Sequence, residues 1–153
     1  MATLVFDQEF RIARDTPSDI NEHIEVLKNL ADSVEHVTEM GTRTGVSTRA
    51  FLAADVTLRA YDLFLDDYVS QLFELAQKEG KDAKYIGANV LETEIDETDL
   101  LFIDTWHCYD QLFAELTKHA PKVKKYIAFH DTQTCLLYTS DAADDSLRVD
   151  LGG

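Results

Sequence analysis

The sequence lacks the features that mark a membrane, secreted or nucleic-acid-binding protein. No apolar run approaches the roughly twenty residues that a membrane helix needs, and Met1–Arg11 carries acidic side chains where a signal peptide would be positively charged. The two cysteines, Cys108 and Cys135, lack zinc-site spacing and are too few for a disulfide framework. Only 14 basic residues face 29 acidic ones, and the net charge of −15 repels a phosphate backbone. We therefore expect a cytoplasmic protein that binds neither membranes nor nucleic acids.

The apolar residues alternate between two periodicities over a length that suits one domain. The 153 residues, 45% of them hydrophobic, suffice for one core and are too few for two ordinary domains. Ile20, Ile24, Leu27 and Ala31 recur at helical spacing after Ser18, which is a candidate helix cap. We therefore expect the first helix to begin close to Ser18.

Beyond this helix, short strand-like runs are each followed by a helical pattern or by a polar loop. The predicted strands are Val37–Met40, Thr57–Tyr61, Lys84–Ile86, Leu100–Ile103 and Lys125–Phe129. The predicted helices between them are Ser47–Ala54, Asp67–Lys78 and Tyr109–His119. This alternation is typical of an α/β protein, so we expect a Rossmann-like doubly wound sheet, mostly parallel, with strand order 3-2-1-4-5.

The stretch TEMGTRTGVST, which spans Thr38–Thr48, connects the first predicted strand to its helix. In a doubly wound sheet, ligands bind at the carboxyl ends of the strands where the strand order reverses. Gly41 and Gly45 permit a tight turn and let a ligand touch the backbone, and Ser47 begins a helix whose N–H groups face the same place. We expect Glu39 to point into this crevice, where a carboxylate suits a cationic or hydroxyl-rich ligand. Two glycines can equally serve only a tight connection.

An acidic residue also ends the second predicted strand. Asp62 occupies the position where a carboxylate commonly accepts hydrogen bonds from a ribose diol, which favours a nucleoside ligand. The glycine spacing Gly41-x-x-x-Gly45 differs from the G-x-G-x-x-G pattern of proteins that bind nicotinamide dinucleotides. The spacing therefore opposes an NAD-dependent function.

Polar side chains follow the fourth and fifth predicted strands in LLFIDTWHCYD and KKYIAFHDT. These residues are Asp104, His107, His130 and Asp131. Adjacent parallel strands bring their carboxyl ends together, so we expect the four side chains to form one cluster, although each alone could be structural. Asp104 and Asp131 suit a hard cation such as Mg²⁺, and His130 would tolerate Mn²⁺ or another transition metal.

Together, the stretches TPSDINEH, TEMGTRTGVST, YDLF, LLFIDTWHCYD and KKYIAFHDT resemble class I S-adenosylmethionine-dependent methyltransferases. The similarity is to the group related to sugar and macrolide O-methyltransferases and to cephalosporin-hydroxylase-like proteins, and it covers roughly Thr16 to Thr134. The resemblance implies S-adenosylmethionine as cofactor. It implies that the glycine turn binds the methionyl part of the cofactor through Glu39, Gly41, Gly45 and Ser47. It implies that Asp62 binds the ribose.

The same resemblance implies a catalytic and metal-binding centre. It makes Asp104 a metal ligand and His107 the base, and it places the other metal ligands at His130 and Asp131. His130 stands where such relatives often carry a glutamate. The implied reaction is methylation of a hydroxyl group on a small molecule such as a sugar, assisted by Mg²⁺ or another divalent ion, with His107 taking the proton.

The end of the chain departs from this resemblance. The segment CLLYTSDAADDSLRVDLGG, which is Cys135–Gly153, lacks the periodicity of the usual helix and antiparallel hairpin and resembles the translation of a sequencing adapter. We expect a truncated metagenomic reading frame with a domain over residues 1–134 and a foreign tail over residues 135–153. A divergent C-terminus is the alternative. Without the hairpin, the edge of the fifth strand would be exposed and could pair with another copy of the chain.

Two other functions remain open. A truncated domain could bind S-adenosylmethionine without catalysing transfer. An NAD-binding oxidoreductase is the less favoured alternative because of the glycine spacing.

Overall fold

The computed structural model describes residues 4–106, 108–130 and, for the backbone, 148–151. The helices are α1 Leu4–Asp15, α2 Ile24–Asp32, α3 Val46–Leu52, α4 Asp67–Lys78 and α5 Tyr109–His119, and a 3₁₀ turn follows at Ala120–Lys122. The strands are β1 His36–Met40, β2 Thr57–Asp62, β3 Ala83–Gly87, β4 Thr98–Ile103, β5 Val123–Phe129 and β6 Arg148–Leu151.

The strands form one sheet in the order β3-β2-β1-β4-β5-β6. The first five strands in this order are parallel, which confirms the predicted doubly wound fold with order 3-2-1-4-5. β6 pairs antiparallel with Tyr126–Phe129 of β5. The expectation of an exposed fifth-strand edge is therefore wrong along this pairing, because four extended residues suffice for a ladder but are too few to show a clear period. In the described part of the chain, β6 is a single antiparallel strand and not a hairpin.

The sheet carries a core on each face. On one face, α1, α2, α3 and α4 cover a core that includes Leu100 and Phe102. On the other face, Leu101 and Ile103 pack with side chains of α5 and with Val90 of the β3–β4 loop. Successive residues of a strand point to opposite faces, so β4 is buried on both, as its apolar run predicts.

The beginning of the chain differs from the sequence-based expectation. α1 was not predicted, although Phe6, Phe10 and Ala13 recur at helical spacing and are buried against the first core. Ser18 does not cap a long helix. Its hydroxyl accepts hydrogen bonds from the backbone N–H groups of Ile20 and Asn21, at 3.3 and 2.9 Å, and caps a turn. α2 therefore begins at Ile24, four residues after Ile20, where the helical spacing in the sequence starts. The loop between α1 and α2 reaches the carboxyl edge of the sheet.

The later helices lie where the sequence predicts them. α4 has the predicted bounds, and the Asp66 carboxylate caps it by accepting from the N–H groups of Tyr68 and Val69 at 2.9 and 3.3 Å. α5 also has the predicted bounds, and the Nε2–H of its His119 donates to the Val90 carbonyl oxygen at 2.7 Å. Among the described helices, none combines the length and the apolar character needed to cross a membrane.

Candidate functional site

The turn between β1 and α3 is built on two glycines with positive φ angles. Gly41 has φ +90°, and a Cβ added there would lie 2.2 Å from the backbone oxygen of Asp104. Gly45 has φ +84°, and a Cβ there would come within 3.1 Å of Val69 and 3.2 Å of Leu72 on α4. Packing within the protein therefore requires glycine at position 41, and a side chain at position 45 would combine an unfavourable φ with crowding against α4, whether or not a ligand also approaches the turn.

Asp62 holds this turn in place from the end of β2. One carboxylate oxygen accepts hydrogen bonds from the backbone N–H groups of Thr42 and Arg43, at 2.9 and 3.0 Å. The other accepts from the N–H of Leu63 at 2.7 Å. These bonds stabilise Arg43 at φ +47°, in the left-handed region that non-glycine residues seldom adopt. Asp62 thus organises the glycine turn, and its predicted contact with a ribose stays a prediction.

Glu39 lies beneath α3 and does not line the crevice, and its predicted contact with the cofactor stays a prediction. Its side chain is fully buried, and its two oxygens accept hydrogen bonds from the hydroxyls of Ser47 and Thr48 at 2.5 and 2.9 Å. Burial raises the pKa of Glu39 to about 8, although the bonds from Ser47 and Thr48 act in the opposite direction. In strand alternation, Glu39 shares a face with Val37, which packs under the helices.

A small cleft opens at the carboxyl edge of the sheet. It lies beside the ends of β1 and β4, where the strand order reverses and where the sequence predicts a ligand. The glycine turn, the start of α3, the end of β4 and the α1–α2 loop contribute its lining, which consists of Asp19, Ile20, Thr42, Arg43, Thr44, Val46, Ser47 and Asp104. Of the predicted site residues that the structure describes, Ser47 and Asp104 line it.

Asp104 and His130 lie together at the ends of β4 and β5, as neighbouring parallel strands predict. Both residues are buried, and His130 Nδ1 is 3.4 Å from an Asp104 carboxylate oxygen. The ring of His23, at the start of α2, packs 5.5 Å from the His130 ring. His107 and Asp131, the other two members of the predicted cluster, lie outside the described residues.

No metal centre can be assembled from the part of the chain that the structure describes. Among those residues, no group of three or more histidine, cysteine, aspartate or glutamate side chains is arranged to hold an ion. The predicted ligand set of Asp104, His130 and Asp131 includes a residue outside that part, so the metal site stays a prediction.

An ion pair in the cleft was not predicted from the sequence. Arg43 Nη1 is 2.5 Å from a carboxylate oxygen of Asp19 and 3.8 Å from one of Asp104. Arg43 is the only basic side chain among the described residues that line the cleft. An arginine inside a glycine turn of an acidic chain is the sequence signal that could have indicated it. Its partner Asp19 is far along the chain, in the α1–α2 loop.

Comparison with solved structures shows which fold this is. The chain matches a caffeoyl-CoA O-methyltransferase-like protein from Staphylococcus aureus with a TM-score of 0.58 and 18% identity over 83% of this chain and 66% of that one. It matches a 1,6-didemethyltoxoflavin-N1-methyltransferase from Burkholderia thailandensis, solved with its substrate and S-adenosylhomocysteine, with a TM-score of 0.60 and 17% identity over 82% and 59% of the two chains.

A third structure, the N-methyltransferase NodS from Bradyrhizobium japonicum with bound S-adenosylhomocysteine, matches with a TM-score of 0.59 and 14% identity over 82% of this chain and 70% of that one. No family profile matches the chain, and no curated protein matches its sequence. The protein therefore has the fold of class I S-adenosylmethionine-dependent methyltransferases, as the sequence motifs imply. The chain spans less than two thirds of the length of the first two of these structures.

Proposed function

We propose that the protein is an S-adenosylmethionine-dependent methyltransferase that acts on a hydroxyl group of a small molecule such as a sugar. The observation that carries the proposal is the cleft at the β1–β4 reversal point, in a fold whose solved examples from Burkholderia and Bradyrhizobium hold S-adenosylhomocysteine. We place this activity in the cytoplasm, which agrees with the free thiol of Cys108.

The side chains of the cleft fit the chemistry of this cofactor. Its methionyl part carries an ammonium and a carboxylate group next to a sulfonium. The cleft offers a carboxylate at Asp104, a guanidinium at Arg43 and a hydroxyl at Ser47. We assign the methionyl part to the turn from Gly41 to Ser47 and the ribose to Asp62. When bound, the cofactor supplies a methyl group made electrophilic by the sulfonium.

Large apolar side chains at the same edge support binding of the remaining, less polar parts of cofactor and acceptor. Phe64, which is 81% exposed, follows the carboxyl end of β2, and Trp106, which is 80% exposed, follows that of β4. Exposed aromatic side chains beside convergent polar groups are typical of small-molecule sites.

We assign the proton transfer to the cluster at the ends of β4 and β5. His107 would take the proton of the acceptor hydroxyl, and Asp104, which contacts His130, would orient the acceptor or hold a divalent ion together with His130 and Asp131. Holding the hydroxyl in line with the transferred methyl group would supply much of the rate.

Calorimetric titration tests the proposal. We expect S-adenosylhomocysteine to bind and NAD not to bind. Comparing the titrations in the presence of Mg²⁺ and of EDTA tests whether binding depends on a divalent ion. Asp62→Ala should lower the affinity for S-adenosylhomocysteine about tenfold, since it removes charge-assisted hydrogen bonds. Asp82→Ala is the matched control, because Asp82 pairs with Arg59 at the opposite end of the sheet. Equal affinity in both variants would remove Asp62 from the site.

A cofactor-binding domain without activity is the second candidate, and the short coverage of the solved structures favours it. Transfer of a labelled methyl group to catechol or to monosaccharides separates the two. Binding of S-adenosylhomocysteine without any transfer would support the inactive domain.

A further inference from the structure

The conformation of Arg43 sets it apart from the other residues of the cleft. Its φ of +47° lies in the left-handed region, which is unfavourable for a non-glycine residue. The hydrogen bond from its N–H to Asp62 compensates for this. Asparagine or glycine would adopt the same backbone at less cost. A strained residue held by its surroundings in a cleft is a reason to look for a role of its side chain.

The ion pair between Arg43 and Asp19 spans the cleft. Arg43 belongs to the β1–α3 turn, whereas Asp19 belongs to the α1–α2 loop on the other side. Their side chains are 52% and 41% exposed, and pairs this exposed contribute little to stability. The pair can therefore open at low cost when another anion competes for the guanidinium.

We propose that Arg43 binds the carboxylate of an amino-acid-bearing ligand, and that Asp19 occupies the guanidinium until this ligand displaces it. The inference rests on the proposed function, in which that ligand is the methionyl part of S-adenosylmethionine. A guanidinium can pair with a carboxylate through two parallel hydrogen bonds, a geometry that a lysine cannot provide. In the described structure the short contact to Asp19 runs from Nη1 to a single carboxylate oxygen.

This arrangement makes affinity depend on how often the Arg43–Asp19 pair is open. The apparent affinity of a ligand that must displace Asp19 is reduced in proportion to the fraction of molecules in which the guanidinium is available. Removing the Asp19 charge should therefore tighten binding, whereas removing the Arg43 charge should weaken it. Neither change should matter for a ligand that has the nucleoside but no carboxylate.

The test compares S-adenosylhomocysteine with 5′-methylthioadenosine, which shares the nucleoside and the thioether and lacks the amino acid. In calorimetry, Arg43→Gln should bind S-adenosylhomocysteine with an affinity lowered roughly ten- to a hundredfold, which is the range for the loss of a charge-assisted pair. Binding of 5′-methylthioadenosine should change less than about twofold, which is small on this scale. Arg59→Gln is the matched control, since Arg59 pairs with Asp82 away from the cleft and its loss changes the net charge equally.

The opposite variant gives an independent result. Asp19→Asn should bind S-adenosylhomocysteine several-fold more tightly and leave 5′-methylthioadenosine unchanged, and this result decides the matter should Arg43→Gln fail to fold. Equal effects on both ligands, or none on either, would overturn the role of Arg43 while leaving the proposed function intact. Failure of the unaltered protein to bind either ligand would overturn the proposed function and this inference together.

Discussion

The buried carboxyl group of Glu39 makes the stability of the protein depend on pH. In the unfolded chain this group loses its proton near its ordinary pKa of 4.5, whereas burial raises the pKa in the folded protein to about 8. Between these values the folded state binds the extra proton, so its stability falls as pH rises through that window. The contribution is fully present below the lower pKa and is lost at the upper one.

We expect Glu39→Gln to remove this dependence, because glutamine is neutral and of the same shape. Measured by urea denaturation from pH 5 to pH 8, the unaltered protein should lose stability relative to the variant by about 1.4 kcal/mol per pH unit at most. Glu94→Gln is the control, since Lys118 and Lys122 lower the pKa of Glu94 to about 2 and it stays ionised throughout. Parallel pH profiles for the Glu39 variant and the unaltered protein would contradict the argument.

Alanine substitutions at Gly41 and Gly80 distinguish the cost of backbone strain from the cost of a steric clash. Both have positive φ angles, but a Cβ at Gly41 would lie 2.2 Å from the Asp104 backbone oxygen, whereas a Cβ at Gly80 would meet nothing within 4 Å. We expect Gly80→Ala to cost about 1 kcal/mol and Gly41→Ala about 3 kcal/mol or more, since β1 and β4 must separate. Chemical denaturation measures both, and similar losses would show that the β4 contact is not limiting.

Among the secondary-structure elements, α1 is the one whose contribution the sequence analysis did not anticipate. Phe6 is completely buried in the core beneath α1–α4, whereas Leu4, two residues away on the same helix, is 87% exposed. We expect Phe6→Ala to cost about 3–5 kcal/mol, the usual loss for a large buried ring. Leu4→Ala should change stability by less than about 0.5 kcal/mol. Equal, small losses in thermal denaturation would mean that α1 is not docked on the sheet.

The stability and the self-association of the whole molecule depend on how the edge of β5 is covered. β6 pairs with residues 126–129, and removing it would leave unpaired backbone groups that another chain can bind. We expect deletion of residues 148–153 to lower the melting temperature and to increase self-association in sedimentation velocity. Deletion of only Gly152 and Gly153 is the control. An unchanged melting temperature would instead support the prediction that residues 135–153 are foreign to a domain over residues 1–134.

Local pattern was sufficient to predict much of the architecture. The bounds of α4 and α5 follow from helical spacing, the parallel direction of the strands follows from the β-α alternation, and the strand order is the usual one for this fold class. The same reasoning brings Asp104 and His130 together, because strand ends that are neighbours in a parallel sheet share one edge. α1 was also accessible in principle, since Phe6, Phe10 and Ala13 show its period.

Other features were decided only by contacts between distant parts of the chain. The sequence places Glu39 at the end of a strand, but only the packing of α3 over β1 determines that its carboxyl group is buried against Ser47 and Thr48. The ion pair of Arg43 with Asp19 and the support of the turn by Asp62 likewise join separate elements. The sequence alone determined the periodicities, the charge and the order of the motifs, because these are properties of neighbouring residues. The tertiary structure decided which polar groups face the cleft and which are used internally, because that depends on how the elements pack.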